Sequence, residues 1–213
     1  MMPRIALLLT LVSALATGAV SAAPRAAEPH DGLFRPATVH SSVTLKHTQS
    51  VGVLVSDDTL SNIAYLARYR SDAQRGVNTH GLAPEVKQAY VDSADPDLAI
   101  AWLNSALEQQ FAQVTFYRDL GSLVAARPDV VVMIDSRSQL FSEHNADVQT
   151  NVTAQFFDAN FAYIGKAEGH DALQMSPLEA RRQAAQISQQ RVVQINALQR
   201  FDASLQALIK GQA

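Results

Sequence analysis

Cysteine is absent from the 213 residues, and its absence excludes several things at once. No disulfide can staple the fold, no thiolate can ligate a metal, and no thiol nucleophile exists. A bacterial lipoprotein carries its lipid on a cysteine directly after its leader, so a lipid anchor is excluded by chemistry. Charge is sparse too: Asp, Glu, Lys and Arg make up 17% of the chain, against about 25% in an average soluble protein. The formal net charge of −3 leaves no basic excess for a nucleic-acid backbone. There is no glycine-rich phosphate loop and no Gly-x-Ser-x-Gly elbow. Nothing in the sequence indicates a cofactor, a metal or a catalytic set.

What is present begins with an export signal. Arg4 puts a positive charge near the terminus, and Ile5 to Val20 then runs without a charged residue, with its leucines crowded between Leu7 and Leu15. Val20-Ser21-Ala22 places small residues ahead of a cut, followed by Ala23-Pro24. Residues 1–22 therefore read as a cleavable secretory signal peptide. Counted on to Ala23 the uncharged run is 19 residues, just long enough to span a bilayer, but its leucines stop early and Thr17, Gly18 and Ser21 suit a cleavage region. Cleavage after Ala22 would leave 16 Lys and Arg against 20 Asp and Glu, or about −4. The expected location is periplasmic or secreted. Residues 23–37 hold three prolines and no apolar periodicity, so they read as a flexible leader.

Residues 38–175 carry mixed patterns expected of an α/β (α+β) domain. Val39, Ser41, Val43 and Leu45 alternate, and Val51, Val53 and Val55 continue after a polar break, which predicts two strands joined near His47 to Ser50. Asp57-Asp58-Thr59 caps a helix beginning near Leu60; from Ser61 to Arg70 helix and strand patterns compete, with helix favoured. Ser71 to Ser93, with Gly76, Gly81 and Pro84, reads as a long irregular connection with one helical turn near Glu85 to Tyr90. Asp95-Pro96-Asp97 reads as a helix start, with the proline where no amide hydrogen is needed. The helix would run to about Phe111 with Leu98, Ala101, Trp102, Ala106 and Leu107 on its inner face. A short strand at Val114 to Phe116 and a short helix from Leu120 to Ala126 follow.

Val130 to Ile134 is a continuous apolar run that fits an inner strand covered on both faces, extending toward Phe141. Val148, Thr150, Val152, Ala154 and Phe156 alternate with polar residues, Asp158-Ala159-Asn160 turns the chain, and Phe161 to Ala167 returns it. A C-terminal β-meander is expected in a mixed sheet with helices packed on it. Residues 176–213 then predict a long C-terminal helix, docked or projecting. Ser176-Pro177-Leu178-Glu179 spells a capping box with a first-turn proline, and the helix would reach Ile209, about 50 Å at ~1.5 Å per residue.

The candidate chemistry is thin. The six histidines, His30, His40, His47, His80, His144 and His170, stand at no metal-ligand spacing from one another. Glu143-His144 and His170-Asp171 fall in expected turns. Asp135 follows the apolar strand, where open α/β sheets often place a functional carboxylate, with Ser136 and Arg137 beside it. Asn151-Val152-Thr153 matches a glycosylation acceptor by chance within a strand. The strongest interaction signal is the apolar stripe Val192, Ile195, Leu198, Leu205 and Leu208 on the terminal helix. It suits either the protein's own sheet or a partner: another envelope protein or a second copy.

Val51 to Asp57, the helix Pro96 to Phe111 ahead of Val114-Thr115-Phe116, the run Pro128 to Ile134 and the turn Phe157-Asp158-Ala159-Asn160 together carry a resemblance. The pattern over residues 43–168 resembles a group of bacterial envelope proteins: curli-secretion channel lipoproteins, the amino-terminal domain of TolB and outer-membrane activators of penicillin-binding proteins. The resemblance implies a non-catalytic periplasmic accessory protein that works through protein–protein contacts. The competing expectation is a hydrolase with a site near Asp135 or in the 71–93 loop. A concave pocket gathering Asp135, a histidine and a second acid would favour the enzyme.

Overall fold

The computed structural model describes residues 40–76, 81–142, 144–179 and 181–211. The expected signal peptide and leader, His30, Val39, His80 and Glu143 lie outside the described residues. Along the chain the elements are β1 (Ser50–Val55), α1 (Asp57–Arg75), α2 (Pro84–Asp92), α3 (Leu98–Gln110), β2 (Gln113–Phe116), α4 (Leu120–Ala126), β3 (Val130–Gln139), β4 (Asp147–Asp158), β5 (Tyr163–Gln174) and α5 (Gln183–Ile209). The strands form one mixed sheet in the order β2-β1-β3-β4-β5. The first three run parallel and the last two form an antiparallel meander. The expected mixed α/β sheet with a terminal meander and a long helix is what the chain builds.

Burial follows the alternation. Val130, Val132 and Ile134 are fully buried, and with Val152, Ala154 and Phe156 they face Leu103 and Leu107 of α3 and Leu198, Phe201 and Leu205 of α5. The opposite face carries Leu54, Val131, Met133 and Phe157 beneath Leu123 of α4. An apolar strand covered on both faces needs this arrangement.

α5 spans 27 residues, about 40 Å at ~1.5 Å per residue. The 12-residue strands β4 and β5 are about as long at ~3.4 Å per residue, so the helix lies along the meander on the protein's own sheet. Small residues let it come close. A Cβ on Gly169 would stand 2.0 Å from the Ala197 carbonyl oxygen, and one on Gly165 would stand 2.4 Å from a Leu208 methyl. Ala167 between them is fully buried. Asp171 fastens the contact, accepting from Asn196 at 2.9 Å and pairing with Arg200 at 3.0 Å.

Four expectations are corrected. The segment from His40 to Leu45 is not a strand: β1 already has neighbours on both sides, so the segment crosses the end of the meander instead. His40 makes a single bridge to Tyr163, and the Ser41 hydroxyl donates to Asp158 at 2.6 Å. The 71–93 region is mostly helix, because α1 continues to Arg75 with Gly76 in the left-handed conformation at its end, and α2 begins at Pro84. α3 starts at Leu98 and not at Pro96, since the Asp95 carboxylate accepts from Asp97 N–H in a local turn. Finally, α5 begins at Gln183, not Pro177. Strand pairing continues to Met175, whose N–H donates to the Ala146 carbonyl at 2.8 Å, and the chain must reverse before a helix can form. Gln186 closes that reversal by accepting from Glu179 N–H at 2.9 Å, so the capping box is unused.

Candidate functional site

β3 outlasts its partner. β1 pairs with Val130 to Ile134, but β3 continues to Gln139. Over Asp135 to Gln139 its outer edge has no neighbouring strand among the described residues, and unpaired backbone there must find other partners. Side chains of α1 supply them at a three-residue spacing. Thr59 Oγ1 accepts from Ser136 N–H at 2.8 Å, Asn62 Oδ1 from Ser138 N–H at 3.0 Å, and Tyr65 Oη from Leu140 N–H at 3.1 Å. Residues three apart share one helix face, so one face of α1 stands in for a strand. At its end the Tyr69 hydroxyl donates to the Phe141 carbonyl at 2.9 Å, while Phe141 N–H donates to the buried Gln190 of α5 at 2.6 Å.

Between this helix and the outer face of β3 and β4 lies a cleft of about 1040 Å³. Its polar end holds Asp58, Ser61, Asn62, Arg137 and Asn151, and its apolar end holds Tyr69, Tyr90, Leu82, Phe141 and Leu178. Tyr65, Tyr69 and Tyr90 follow one another with ring centroids 6.2 and 6.0 Å apart. Burial pushes the Tyr69 hydroxyl well above its ordinary range, against a smaller opposing effect of the neighbouring Gln190 amide. Burial likewise raises Tyr65, opposed by the Leu140 N–H. Both therefore stay protonated hydroxyls at neutral pH.

The residues singled out in the sequence are distributed unevenly around this cleft. Arg137 lines it, ion-paired to Asp58, with its Nε 3.7 Å from Asp135 Oδ2. Asp135 stands just behind: its other oxygen accepts from Ser56 Oγ at 2.6 Å, and Ser56 in turn caps α1 by accepting from Thr59 N–H at 3.0 Å. Ser136 turns inward and is fully buried. His144 lines the mouth and is exposed. His170 is exposed on β5, away from it. Among the described residues no group of three His, Cys, Asp or Glu is disposed to hold a metal ion. Asn151 lines the cleft from β4. Ala73, Leu82 and Tyr90 bring the 71–93 region to it, and Leu178 brings the segment ahead of α5.

On α5, Leu198 and Leu205 are 1% exposed in the protein's own core. Ile195 and Leu208 are half-buried, and Val192 is 50% exposed. The residues sequence reading passed over are Asn62, Tyr65, Tyr69 and Gln190. Their only local signal is the Thr59-x-x-Asn62-x-x-Tyr65 spacing. No helix among the described residues is long and apolar enough to cross a membrane.

No protein-family model matches the sequence, and no curated protein matches it. Solved structures of three bacterial proteins superpose on this chain at low scores. Protein XCC0632 from Xanthomonas campestris, of the family DUF330, superposes with a TM-score of 0.37 at 11% identity, over 83% of this chain and 95% of its own. PelC from Paraburkholderia phytofirmans, solved as a dodecamer, gives 0.34 at 13% identity, over 76% and 98%. The hypothetical protein CT253 from Chlamydia trachomatis gives 0.32 at 10% identity, over 77% and 99%.

Proposed function

We propose that this chain is an exported accessory protein of the bacterial cell envelope that acts by binding, with the cleft between α1 and β3 as its contact site. The observation that carries the reading is the state of the cleft's polar groups. Asp58 and Arg137 satisfy each other, Asp135 is held by Ser56 and Arg137, and the Tyr65 and Tyr69 hydroxyls are anchored on Leu140 and Phe141 just after β3. Catalysis by a nucleophile needs a base within hydrogen-bond reach to activate it. Here the carboxylates lie beside an arginine and a helix cap, an arrangement that holds shape. A large concave surface with aromatic walls and convergent amides is what a binding site requires. Export is supported by residues 1–22, and the envelope setting by the resemblance over residues 43–168.

Site-specific photocrosslinking tests both parts. A photoreactive side chain at Ser61 or Asn151, in cells expressing the full chain, is expected to capture an envelope component. The same group at Val124, on the far face of α4, is expected to capture nothing in common with it. Equal capture from all three positions, or none from the two cleft positions, defeats the proposal. Recovery of the protein with Met1 retained would defeat the export half alone.

A further inference from the structure

We propose that the cleft takes an uncharged, hydroxyl-rich ligand, an oligosaccharide segment seated with its ring faces on the tyrosines; this rests on the binding reading above. Size comes first. Small-molecule sites run to about 300–1,000 Å³, and at about 1040 Å³ this one suits several linked rings more than a single small molecule. The wall comes second. Tyr65, Tyr69 and the buried Tyr90 form a stepped run of rings with centroid steps of 6.2 and 6.0 Å, successive rings tilted by 60° and 38°. A sugar ring has an apolar C–H face and a rim of hydroxyls, so each ring of the chain needs one aromatic face edged by short-range donors and acceptors, and a stepped run of such faces suits linked rings that turn relative to one another.

The edge has them, with free capacity. Tyr65 Oη already accepts from Leu140 N–H, so its own proton remains to donate, and Asn62 has committed its oxygen to Ser138 and presents its NH₂ group. The exposed Asn151 on β4 offers both a donor and an acceptor. Charge argues the same way. Asp58 and Arg137 form an ion pair with both partners about half exposed, so neither an anion nor a cation meets an uncompensated partner at that end.

The competing occupant is an extended peptide, which joins a sheet by hydrogen-bonding to a free strand edge. The β3 edge in this cleft is not free. Thr59, Asn62 and Tyr65 occupy its N–H groups at Ser136, Ser138 and Leu140, so strand addition has no ladder to extend. Side-chain amides and hydroxyls are what remain, and they match a hydroxyl-rich chain.

The test is an NMR titration of the ¹⁵N-labelled chain with neutral hexasaccharides (cellohexaose, hexa-N-acetylchitohexaose and maltohexaose), with an alanine–serine hexapeptide and inorganic phosphate run in parallel. At least one hexasaccharide is expected to shift the Asn62, Ser138 and Leu140 amides saturably. Asn151→Ala, at an exposed position, should weaken that binding about tenfold, a loss of about 1.4 kcal/mol, with the other amide shifts unchanged. Tyr65→Phe should weaken it as well. Shifts with the peptide or phosphate but with no sugar overturn the proposal, as does sugar binding that Asn151→Ala and Tyr65→Phe leave intact. If cleft crosslinking captures an envelope protein while the hexasaccharides stay silent, the ligand class is wrong and the binding reading stands. Silence in both experiments removes both.

Discussion

The side-chain oxygen of Asn62 accepts the backbone hydrogen of Ser138 at 3.0 Å across 76 positions of sequence. A helix residue thus stands where the carbonyl of a neighbouring strand would stand. Thr59 and Tyr65 repeat the arrangement on either side, and the cleft exists because this row holds α1 against a strand that has outrun its partner.

Thr59→Val tests the row without changing shape. Thr59 is 1% exposed, so losing its oxygen leaves the Ser136 amide buried without an acceptor. The expected loss is about 1–3 kcal/mol, read from the urea midpoint. Arg68→Ala, on the exposed side of the same helix, is expected to stay within about 0.5 kcal/mol. Equal small effects would show that the Thr59 bond contributes nothing.

Gly169 and Gly165 should differ sharply. At Gly169 a new Cβ meets the backbone of α5, which cannot yield, whereas at Gly165 it meets the end of the Leu208 side chain. Gly169→Ala is expected to cost at or beyond the top of the ~1–3 kcal/mol range for overpacking and Gly165→Ala less. Thermal melts of the two variants decide it, and the reverse order would mean α5 does not rest on β5 at Gly169.

Along α5 the apolar stripe divides by burial. Leu205→Ala is expected to lose about 2–5 kcal/mol, since Leu205 is 1% exposed in the core. Val192→Ser, at a position 50% exposed, is expected to change stability by less than about 0.5 kcal/mol. Comparable losses from both would place Val192 in a contact that buries it.

Asp202 makes stability depend on pH. Burial raises its pKa, against a smaller lowering by the Trp102 indole, which donates to Oδ2 at 2.9 Å. Its Oδ1 is buried with no partner among the described residues. A carboxyl whose folded pKa lies above its unfolded value, about 3.9, holds its proton more tightly in the native state. Its contribution is full below the unfolded pKa and is lost as pH rises through the folded one. Asp202→Asn keeps an acceptor for Trp102 and removes the charge. It should therefore be more stable than the parent at neutral pH, the gain fading as pH falls through the raised folded pKa and gone below about 4. Urea midpoints across that range give the answer, and a gain that grows on acidification contradicts it.

Much of the fold was legible because it follows local periodicity. Val130 to Ile134 and the alternation Val148 to Phe156 announce their burial one residue at a time, and β3 and β4 stand where they should. The start of α5 was misread because a capping box is local, while the pairing of Met175 with Ala146 that overrides it is not. The docking of α5 had a faint trace in Gly165-x-Ala167-x-Gly169, three small residues at strand spacing. The cleft was hidden for a different reason. Asn62, Tyr65 and Tyr69 act on a strand edge more than 70 residues away, and Tyr65 and Tyr69 also fit the competing strand alternation in that segment. Gln190 sits fully buried on a helix face where an apolar residue is the ordinary expectation.

A sheet normally joins its strands through the backbone, which no substitution short of proline can edit. At the far half of β3 the joint is written in side chains instead, and each contact is a single codon. Exchanging Asn62 or Tyr65 for a longer or shorter acceptor would reset the gap between helix and strand in small steps, while the ladder from Val130 to Ile134 keeps the domain folded. The shape of the cleft can therefore change one residue at a time, each step at the cost of about one hydrogen bond.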